Sequence, residues 1–340
     1  MISEDQAYLE EFKNCELCEH RCQINRLAGE TGVCKLGLPE VASCQLHPAS
    51  PQSYTVFMAG CNFKCLNCQN WHISQYPDNG HKVKGYVPPK KLAQECIKNL
   101  SSPRAKSMGA DRIFFSGGEP TISLSYIEEV IREARAFEKN TKVNFDTNGF
   151  LTEESLERVL RFANSITYDL KAYHDSLHRA ITGCPVQPVL RNARLLVKEA
   201  RERLWEFRIL VIPGINEGEI KPLAEFIASL DPALPTAFLA FRPNFILEDH
   251  PGASGELMGR CLSIARGAGL LKVKAQGFTD LWGRMREIAK GIEDLYDNPG
   301  ARWAASYALS VGCHTHPRDC QNCPENLSCP LKRYQAHRLT

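Results

Sequence analysis

Apolar residues recur in two alternating patterns along residues 54–277 of the chain. Short runs rich in β-branched and aromatic residues are separated by longer stretches in which apolar residues recur every three or four positions. The short runs predict seven strands, at residues 54–59, 112–116, 142–147, 166–170, 206–212, 237–241 and 271–275. The longer stretches fit six helices, one of which carries the apolar stripe Ile127, Val130, Ile131 and Ala134. Strands that alternate with helices predict an α/β fold built on a parallel sheet.

The two ends of the chain lack this alternation, so we expect three regions. Residues 1–53 contain few apolar residues and would fold around metal or pack on the central domain. Residues 54–280 would form the central βα domain. Residues 281–340 predict two helices followed by a cysteine-rich segment. Both cysteine-rich ends are therefore expected to be small extensions of one large α/β domain.

Charge and hydropathy give no sign of a nucleic-acid or membrane partner. The chain of 340 residues has 41 Lys and Arg against 39 Asp and Glu, a formal net charge of +2. Such a balance does not favour binding to a polyanion or an anionic membrane surface. No apolar run approaches the roughly 18 residues that span a bilayer, and the first residues, M-I-S-E-D-Q, do not resemble a signal peptide. We expect a cytoplasmic protein without nucleic-acid or membrane contacts.

Cysteine is abundant, with 15 residues, and eleven of them fall into three tight groups. Grouped cysteines in a long chain without a signal peptide indicate metal sites in a reducing compartment rather than disulfides. The four ungrouped residues, Cys44, Cys96, Cys184 and Cys261, are expected to be buried small apolar side chains.

The most compact cysteine group follows the first predicted strand in the run G-C-N-F-K-C-L-N-C and contains Cys61, Cys65 and Cys68. A structural zinc or [4Fe–4S] site normally uses four protein ligands. Three cysteines can therefore hold three irons of a [4Fe–4S] cluster and leave the fourth iron open to another ligand. A zinc knuckle completed by His72 and a set of packing cysteines are the alternatives.

Three further motifs lie at the ends of later predicted strands. They are S-G-G-E-P with Gly117, Gly118, Glu119 and Pro120, D-T-N-G with Asp146, Thr147 and Asn148, and D-L-K with Asp169 and Lys171. Glycines let a ligand approach the backbone, and a carboxylate can accept hydrogen bonds from an ammonium group. Because the carboxyl ends of parallel strands form the ligand-binding edge of such a sheet, these residues are expected to share a site with the cysteines. A tight turn and helix caps are the alternatives.

With these motifs the chain resembles the radical SAM superfamily. The resemblance implies a partial (βα)6-type TIM barrel, the radical SAM fold, in which the cysteine triplet holds a [4Fe–4S] cluster. It implies that the amino and carboxylate groups of S-adenosylmethionine chelate the open iron. It also implies that Gly117, Gly118 and Glu119, in the run that ends at Pro120, bind the methionyl amino group.

Within that superfamily, the runs G-C-N-F-K-C, G-G-E-P-T, D-T-N-G-F, D-L-K and R-I-L-V-I-P-G resemble the glycyl-radical-enzyme activases, the group of the pyruvate formate-lyase activating enzyme. This likeness implies that Asp146 and Thr147 help to hold a cation or a polar network beside the cofactor. It implies that Lys171 reaches the methionine carboxylate and that Arg208 points into the barrel near the cofactor. A surface salt bridge is the alternative for Arg208.

Two positions depart from the activases. Asn67 stands where an aromatic or bulky residue usually precedes the last cluster cysteine, and R-P-N-F at residues 242–245 stands where activases place a Tyr-His pair. The runs C-x-L-C, R-C-x-I-N-R, G-x-C and C-Q-N-W-x-I-S resemble a subgroup of uncharacterised activase-like proteins with an extra cysteine region. Asn67 would alter the solvation and the reduction potential of the cluster, whereas R-P-N-F concerns the assignment as an activase and not the cofactor.

The other two cysteine groups are expected to bind auxiliary [4Fe–4S] clusters or zinc. They are Cys15, Cys18, Cys22 and Cys34 near the N-terminus, and Cys313, Cys320, Cys323 and Cys329 near the C-terminus. For the C-terminal group we favour iron–sulfur, because Cys-Pro steps beside a C-x2-C pair are common in cluster-binding loops. His314 and His316 are alternative ligands there. For the N-terminal group the spacing fits both metals.

The resemblance implies a reaction in which one electron cleaves S-adenosylmethionine to methionine and a 5′-deoxyadenosyl radical that abstracts hydrogen. A flavodoxin- or ferredoxin-type donor would supply the electron. The first hypothesis is an activase that acts on a backbone glycine of a partner protein. The second is an auxiliary-cluster enzyme that modifies a peptide or small molecule, for example by methylation, and the third is a non-catalytic iron–sulfur or zinc protein. The sequence contains no hydrolase, P-loop or dinucleotide-binding motif.

Overall fold

The computed structural model describes residues 4–277, in which eight strands form one sheet in chain order. The strands are β1 Val41–His47, β2 Ser53–Met58, β3 Arg112–Gly117, β4 Lys142–Thr147, β5 Ser165–Asp169, β6 Leu204–Val211, β7 Thr236–Ala240 and β8 Val273–Gln276. β1 pairs with β2 in the antiparallel sense, and every later pair is parallel. The outer strands β1 and β8 do not pair with each other within this part of the chain, so the barrel is open.

Each connection between consecutive parallel strands contains at least one helix. The helices are α1 Trp71–Ser74, α2 Pro89–Leu100, α3 Pro103–Met108, α4 Leu124–Phe137, α5 Glu153–Phe162, α6 Asp175–Thr182, α7 Gln187–Ala200, α8 Ile220–Leu230 and α9 Gly255–Gly267. From β2 to β8 this makes six βα units, which confirms the expected partial (βα)6-type barrel. Among the described residues, none of the helices has the length and apolar character needed to cross a membrane.

The apolar patterns of the sequence become buried faces. All four residues of the predicted stripe on α4 are at most 2% exposed. Thr152 caps the start of α5, because its side chain accepts a hydrogen bond from the backbone N–H of Ser155, and the acidic residues Glu153 and Glu154 lie in the first turn. The seven predicted strands are all present with ends within two residues of those expected, because β-rich runs between helices mark strands well.

The register of the parallel strands aligns their carboxyl ends. Met58 at the end of β2 lies opposite Gly117 at the end of β3, and Thr147 at the end of β4 lies opposite Tyr168. The segments that follow β2, β3, β4 and β5 therefore begin side by side at one edge of the sheet.

Residues 4–47 pack on the barrel. Leu9, Phe12 and Leu17 are buried in the same apolar core as the barrel strands. β1 was not among the predicted strands, because Val41 is the only β-branched residue in V-A-S-C-Q-L-H and the run contains no Phe, Tyr or Trp. Its pairing with β2, rather than its own composition, makes it a strand.

Three of the four ungrouped cysteines, Cys96, Cys184 and Cys261, are buried as expected, whereas Cys44 on the edge strand β1 is half-buried. The two helices expected after residue 281 lie outside the described residues. So does the C-terminal cysteine group, Cys313, Cys320, Cys323 and Cys329.

Candidate active site

One open cavity lies at the carboxyl edge of the sheet, where β2, β3, β4 and β5 end. Its wall contains all the candidate residues of the cysteine triplet and of the three strand-end motifs except Pro120. Pro120 is buried at the start of the short 3-10 helix that follows Glu119. The fold therefore brings residues from four separate parts of the sequence into one site.

The wall also contains residues that were not among the predicted site residues: Phe63, Gln69, Asn70, Ser74, Leu210 and Leu239. Leu210 lies two positions after Arg208 on β6, and alternate residues of a strand share a face, so this period could have identified Leu210. The first four lie in the runs G-C-N-F-K-C and C-Q-N-W-x-I-S, and their place beside the cysteines could have identified them.

Backbone hydrogen bonds to the end of α6 fix the cysteine loop. Lys64 N donates to Thr182 O at 2.9 Å, and Leu66 N donates to Ile181 O at 3.1 Å. The loop starts at Gly60, whose φ of +75° lies in the left-handed region that favours glycine. The loop that carries the three cysteines therefore begins at a glycine turn and is held against α6 by two backbone hydrogen bonds.

The buried environment of the triplet opposes negative charge on its sulfurs. Burial raises the pKa of Cys61 well above its ordinary value. It raises the pKa of Cys65 to about 12, although the nearby Lys171 ammonium acts in the opposite direction. The Sγ atom of Cys68 lies 3.0 Å from the Ser74 hydroxyl. Since metal ligation requires thiolates, a bound cationic cluster would supply the charge that this environment lacks.

Glu119 connects the end of β3 to the end of β4. Its Oε1 accepts hydrogen bonds from Thr121 Oγ1 at 2.6 Å and from Thr147 Oγ1 at 2.9 Å. Its Oε2 accepts one bond, from Asn148 N at 2.8 Å, which leaves acceptor capacity on that oxygen. Burial raises the pKa of this carboxyl to about 7, with the same donors acting to lower it. An ammonium group in the cavity would stabilise the ionised form.

The two glycines of S-G-G-E-P have a structural reason that the sequence did not reveal. A Cβ on Gly118 would lie 1.7 Å from the carbonyl oxygen of Gly60, and a Cβ on Gly117 would lie 2.4 Å from that of Met58. Gly118 N donates to Met58 O at 2.9 Å. Backbone atoms of Gly60 and Met58, next to the cysteine loop, thus occupy the space that a side chain at Gly118 or Gly117 would need.

A charged network lies beside the cysteines. Asp169 Oδ2 pairs with Lys171 Nζ at 2.7 Å. Asp146 accepts a hydrogen bond from Ser116 Oγ at 2.7 Å and lies 3.5 Å from Arg208 Nη1. Burial raises the pKa of Asp146, whereas Arg208 acts to lower it. Arg208 contacts the cavity through Asp146 and is not itself part of the wall.

Two residues around the cysteines behave differently from the motif residues. Asn67 is buried in the cavity wall, and its Oδ1 has no hydrogen-bond donor in the structure. His72, the alternative fourth ligand, is exposed, stacks on Trp71 with 3.8 Å between ring centroids, and is absent from the wall. The structure does not bring His72 to the triplet.

The donor set fits an iron–sulfur cluster, because three cysteines line one cavity and thiolates are the usual ligands of such clusters. Within residues 4–277, no group of three or more His, Cys, Asp or Glu side chains is found that could hold a single metal ion.

Taken together, these features are those of an open α/β barrel with a cysteine-lined cavity at its carboxyl edge. The model of the Radical SAM superfamily matches residues 55–227, about half of the 340-residue chain, so the chain belongs to the radical SAM superfamily. Membership implies a [4Fe–4S] cluster and S-adenosylmethionine as cofactors.

Curated relatives include activating enzymes. The pyruvate formate-lyase-activating enzyme of Staphylococcus epidermidis is 26% identical over 191 residues, which cover 52% of this chain and 70% of that protein. The isethionate sulfite-lyase activating enzyme of Desulfovibrio desulfuricans is 32% identical over 114 residues, 33% of this chain and 36% of that protein. An uncharacterised protein of Methanocaldococcus jannaschii is 27% identical over 254 residues, 72% of this chain and 71% of that protein.

Proposed function

We propose that this chain is a radical SAM enzyme that generates a 5′-deoxyadenosyl radical and uses it to abstract hydrogen from a polypeptide. The observation that carries the proposal is the single cavity that contains the cysteine triplet, Glu119 and Lys171. When bound at the triplet, a reduced [4Fe–4S] cluster would supply one electron to the sulfonium of S-adenosylmethionine, which would yield methionine and the radical.

The residues of the cavity would bind and orient the methionine part of the cofactor. Glu119 Oε2 would accept a hydrogen bond from the amino group, because it has acceptor capacity left in the structure. Lys171 would pair with the carboxylate. Although burial acts to lower it, Asp169 and the Cys65 thiol raise the pKa of Lys171, so its ammonium stays charged. Asp169 would hold this ammonium beside Cys65.

The relatives support a polypeptide as the substrate. Two of them are named activating enzymes of pyruvate formate-lyase and isethionate sulfite-lyase. In such a reaction the radical takes one hydrogen atom from a backbone carbon, which gives 5′-deoxyadenosine and leaves the unpaired electron on the partner protein. A flavodoxin- or ferredoxin-type carrier would supply the electron consumed in each cleavage.

Detection of 5′-deoxyadenosine tests the cleavage. The full chain is reconstituted anaerobically with iron and sulfide, reduced with dithionite and incubated with S-adenosylmethionine. We expect product from the wild type and from Cys261→Ala, which removes a buried thiol on α9, and a loss of at least 100-fold in Cys65→Ala. Absence of product from a wild type that carries its cluster would contradict the proposal, as would unchanged product in Cys65→Ala.

The polypeptide substrate is tested separately by electron paramagnetic resonance. The reduced enzyme is mixed with S-adenosylmethionine and, in separate samples, with pyruvate formate-lyase and isethionate sulfite-lyase, the enzymes for which two relatives are named. A carbon-centred glycine radical on the partner is expected. Formation of 5′-deoxyadenosine without such a radical, but with a modified peptide or small molecule, would favour the auxiliary-cluster alternative.

A further inference from the structure

Glu206 of β6 is a buried carboxylate that was not among the predicted site residues. It is 1% exposed. Its Oε1 accepts a hydrogen bond from Arg208 Nε at 2.8 Å, and its Oε2 lies 2.6 Å from Lys274 Nζ on β8. Glutamate is rarely this buried unless a cation compensates its charge, and Glu206 contacts two cations. The carboxylate is therefore held firmly inside the barrel.

A shift in strand register directs Glu206 into the barrel. Ile166 of β5 lies opposite Leu204 of β6, whereas the next residue of β5, Thr167, lies opposite Glu206. Trp205 is thus an extra residue in β6, as in a β-bulge. Because side chains alternate between the two faces of a strand, the extra residue places Glu206 on the same face as Thr167. Bulges that redirect a side chain in this way are frequent beside active sites.

The face that carries Thr167 is the polar interior of the barrel. The hydroxyl of Thr167 is buried and donates to Asp146 Oδ1 on β4. Tyr168, the next residue of β5, points to the opposite side, where its hydroxyl donates to Val189 O on α7 at 2.6 Å. Asp146, Thr167 and Glu206 are register partners on three neighbouring strands. This row leads from the cavity wall to Glu206.

Arg208 connects Glu206 to two aspartates of the cavity wall. It lies opposite Asp169 in the register of β5 and β6. Its Nη1 lies 3.5 Å from Asp146 Oδ1, which exceeds the usual hydrogen-bond distance of about 2.7–3.2 Å. Burial raises the pKa of Asp146 and the Asp169 carboxylate raises it further, whereas Arg208 acts to lower it. One guanidinium thus offsets the repulsion between two carboxylates, while its Nε is bound to Glu206.

Lys274 fixes Glu206 from the other side. Arg208 lies opposite Ala237 on β7, and Ala237 lies opposite Lys274 on β8. The small, fully buried side chain of Ala237 separates the two cations, and both reach the same carboxylate. Glu206 is therefore bound to β8 as well as to Arg208, which makes it a rigid support for the guanidinium.

We propose that Glu206 is a positioning residue for the cofactor site. By binding Nε, it keeps the guanidinium of Arg208 from closing onto Asp146 or Asp169. Asp169 then stays paired with Lys171, whose ammonium is the group proposed to bind the methionine carboxylate. Without Glu206, Arg208 would pair directly with an aspartate of the wall, because guanidinium and carboxylate form strong bidentate pairs. The inference rests on the proposed function, in which this cavity binds S-adenosylmethionine.

Equilibrium binding of S-adenosylmethionine to the reconstituted full chain, with its cluster oxidised, tests this role without cleavage. We expect Glu206→Gln to bind at least about fivefold more weakly than the wild type at equal iron content, because a neutral amide holds Arg208 less firmly. The control Glu202→Gln changes an exposed carboxylate just before β6 and should bind like the wild type. Equal affinity of Glu206→Gln and the wild type would overturn the proposal.

A double-mutant cycle tests whether Glu206 acts through Arg208. Arg208→Gln alone should weaken binding. In that background, Glu206→Gln should change the affinity by less than about twofold, since the group that it positions is already gone. Losses that multiply in the double variant would contradict the route through Arg208.

Glu206→Asp is a milder variant that keeps the test decisive should the glutamine variant fail to fold. It retains the charge but shortens the side chain by one methylene, so the carboxylate cannot reach both Arg208 and Lys274 where they now lie. A loss of at least about threefold in affinity is expected. Wild-type affinity would show that the charge matters and its position does not, which would overturn the proposal.

The binding measurement also separates this inference from the proposed function. A wild type that carries its cluster but binds no S-adenosylmethionine would contradict the proposed function, and the inference with it. A wild type that binds the cofactor as tightly as Glu206→Gln and Glu206→Asp do would contradict only the role of Glu206.

Discussion

Glu119 and the triplet cysteines lie in environments that oppose negative charge. Glu119 is 1% exposed and accepts four hydrogen bonds, yet burial still raises its pKa to about 7. The thiols of Cys61 and Cys65 are held even further from ionisation. Cationic ligands, an ammonium group for the carboxylate and iron for the thiols, would relieve both costs. The site is therefore complementary to positively charged groups.

Gly118 provides a test at the residue scale. In Gly118→Ala the new Cβ would meet the backbone carbonyl of Gly60, which cannot move without displacing the start of the cysteine loop. We expect a loss of about 1–3 kcal/mol in stability and a marked loss of iron bound at the triplet. Thermal unfolding and iron analysis measure the two effects.

Gly259 is the matched control for this substitution. It lies within α9, and a Cβ there would meet no atom within 4 Å. Gly259→Ala should raise stability by roughly 0.5–1 kcal/mol, since alanine loses less backbone freedom in a helix. Equal behaviour of the two variants would show that close backbone packing does not explain the glycine of the motif.

At the scale of elements, loops from neighbouring units hold the strand ends in place. Glu219 lies in the short 3-10 helix between β6 and α8 and reaches the segment that follows Lys171. Its Oε2 accepts hydrogen bonds from Tyr173 N at 2.7 Å and from His174 N at 2.9 Å. Its Oε1 lies 2.8 Å from His174 Nδ1. One carboxylate thus fixes the loop that carries the lysine of the cavity.

The stability contributed by Glu219 should depend on pH. Although burial acts to raise it, the His174 and Tyr173 donors hold the pKa of Glu219 below its ordinary value of 4.5. A folded-state pKa that is lowered gives stability that is complete above the unfolded value and is lost as pH falls through the folded value. We expect Glu219→Gln to cost about 1–2 kcal/mol at pH 7 and less at about pH 3.

Unfolding midpoints of wild type and Glu219→Gln at both pH values measure this difference. Glu225→Gln, at an exposed position of α8, is the control and should change stability by less than about 0.5 kcal/mol. A difference between wild type and Glu219→Gln that does not change with pH would contradict the role assigned to the ionised carboxylate.

At the scale of the whole molecule, the open barrel presents one edge to its cofactors and carries the N-terminal segment beside it. Part of this arrangement followed from the sequence. The β-rich runs located seven of the eight strands in the described residues. The rule that ligands bind at the carboxyl edge predicted that the triplet, Glu119 and Lys171 lie close together, and they line one cavity. Both inferences use local patterns that tertiary contacts seldom override.

The remaining features depend on contacts that no local pattern records. β1 is a strand because β2 offers it an edge, and the glycines of S-G-G-E-P are required by the backbone of Gly60 and Met58. His20 Nε2 lies 2.9 Å from Asn62 O, which joins positions 42 residues apart in the chain. Sequence spacing identified each group of cysteines but not this contact between the N-terminal segment and the cysteine loop.

The most direct test of the radical SAM site is electron paramagnetic resonance of the reduced protein with and without S-adenosylmethionine. The signal of the triplet cluster is identified as the component that disappears in Cys65→Ala. We expect the g values of that component to shift when S-adenosylmethionine is added, because the cofactor binds the iron that the three cysteines leave open. A triplet signal that is present and unchanged by S-adenosylmethionine would contradict this central claim.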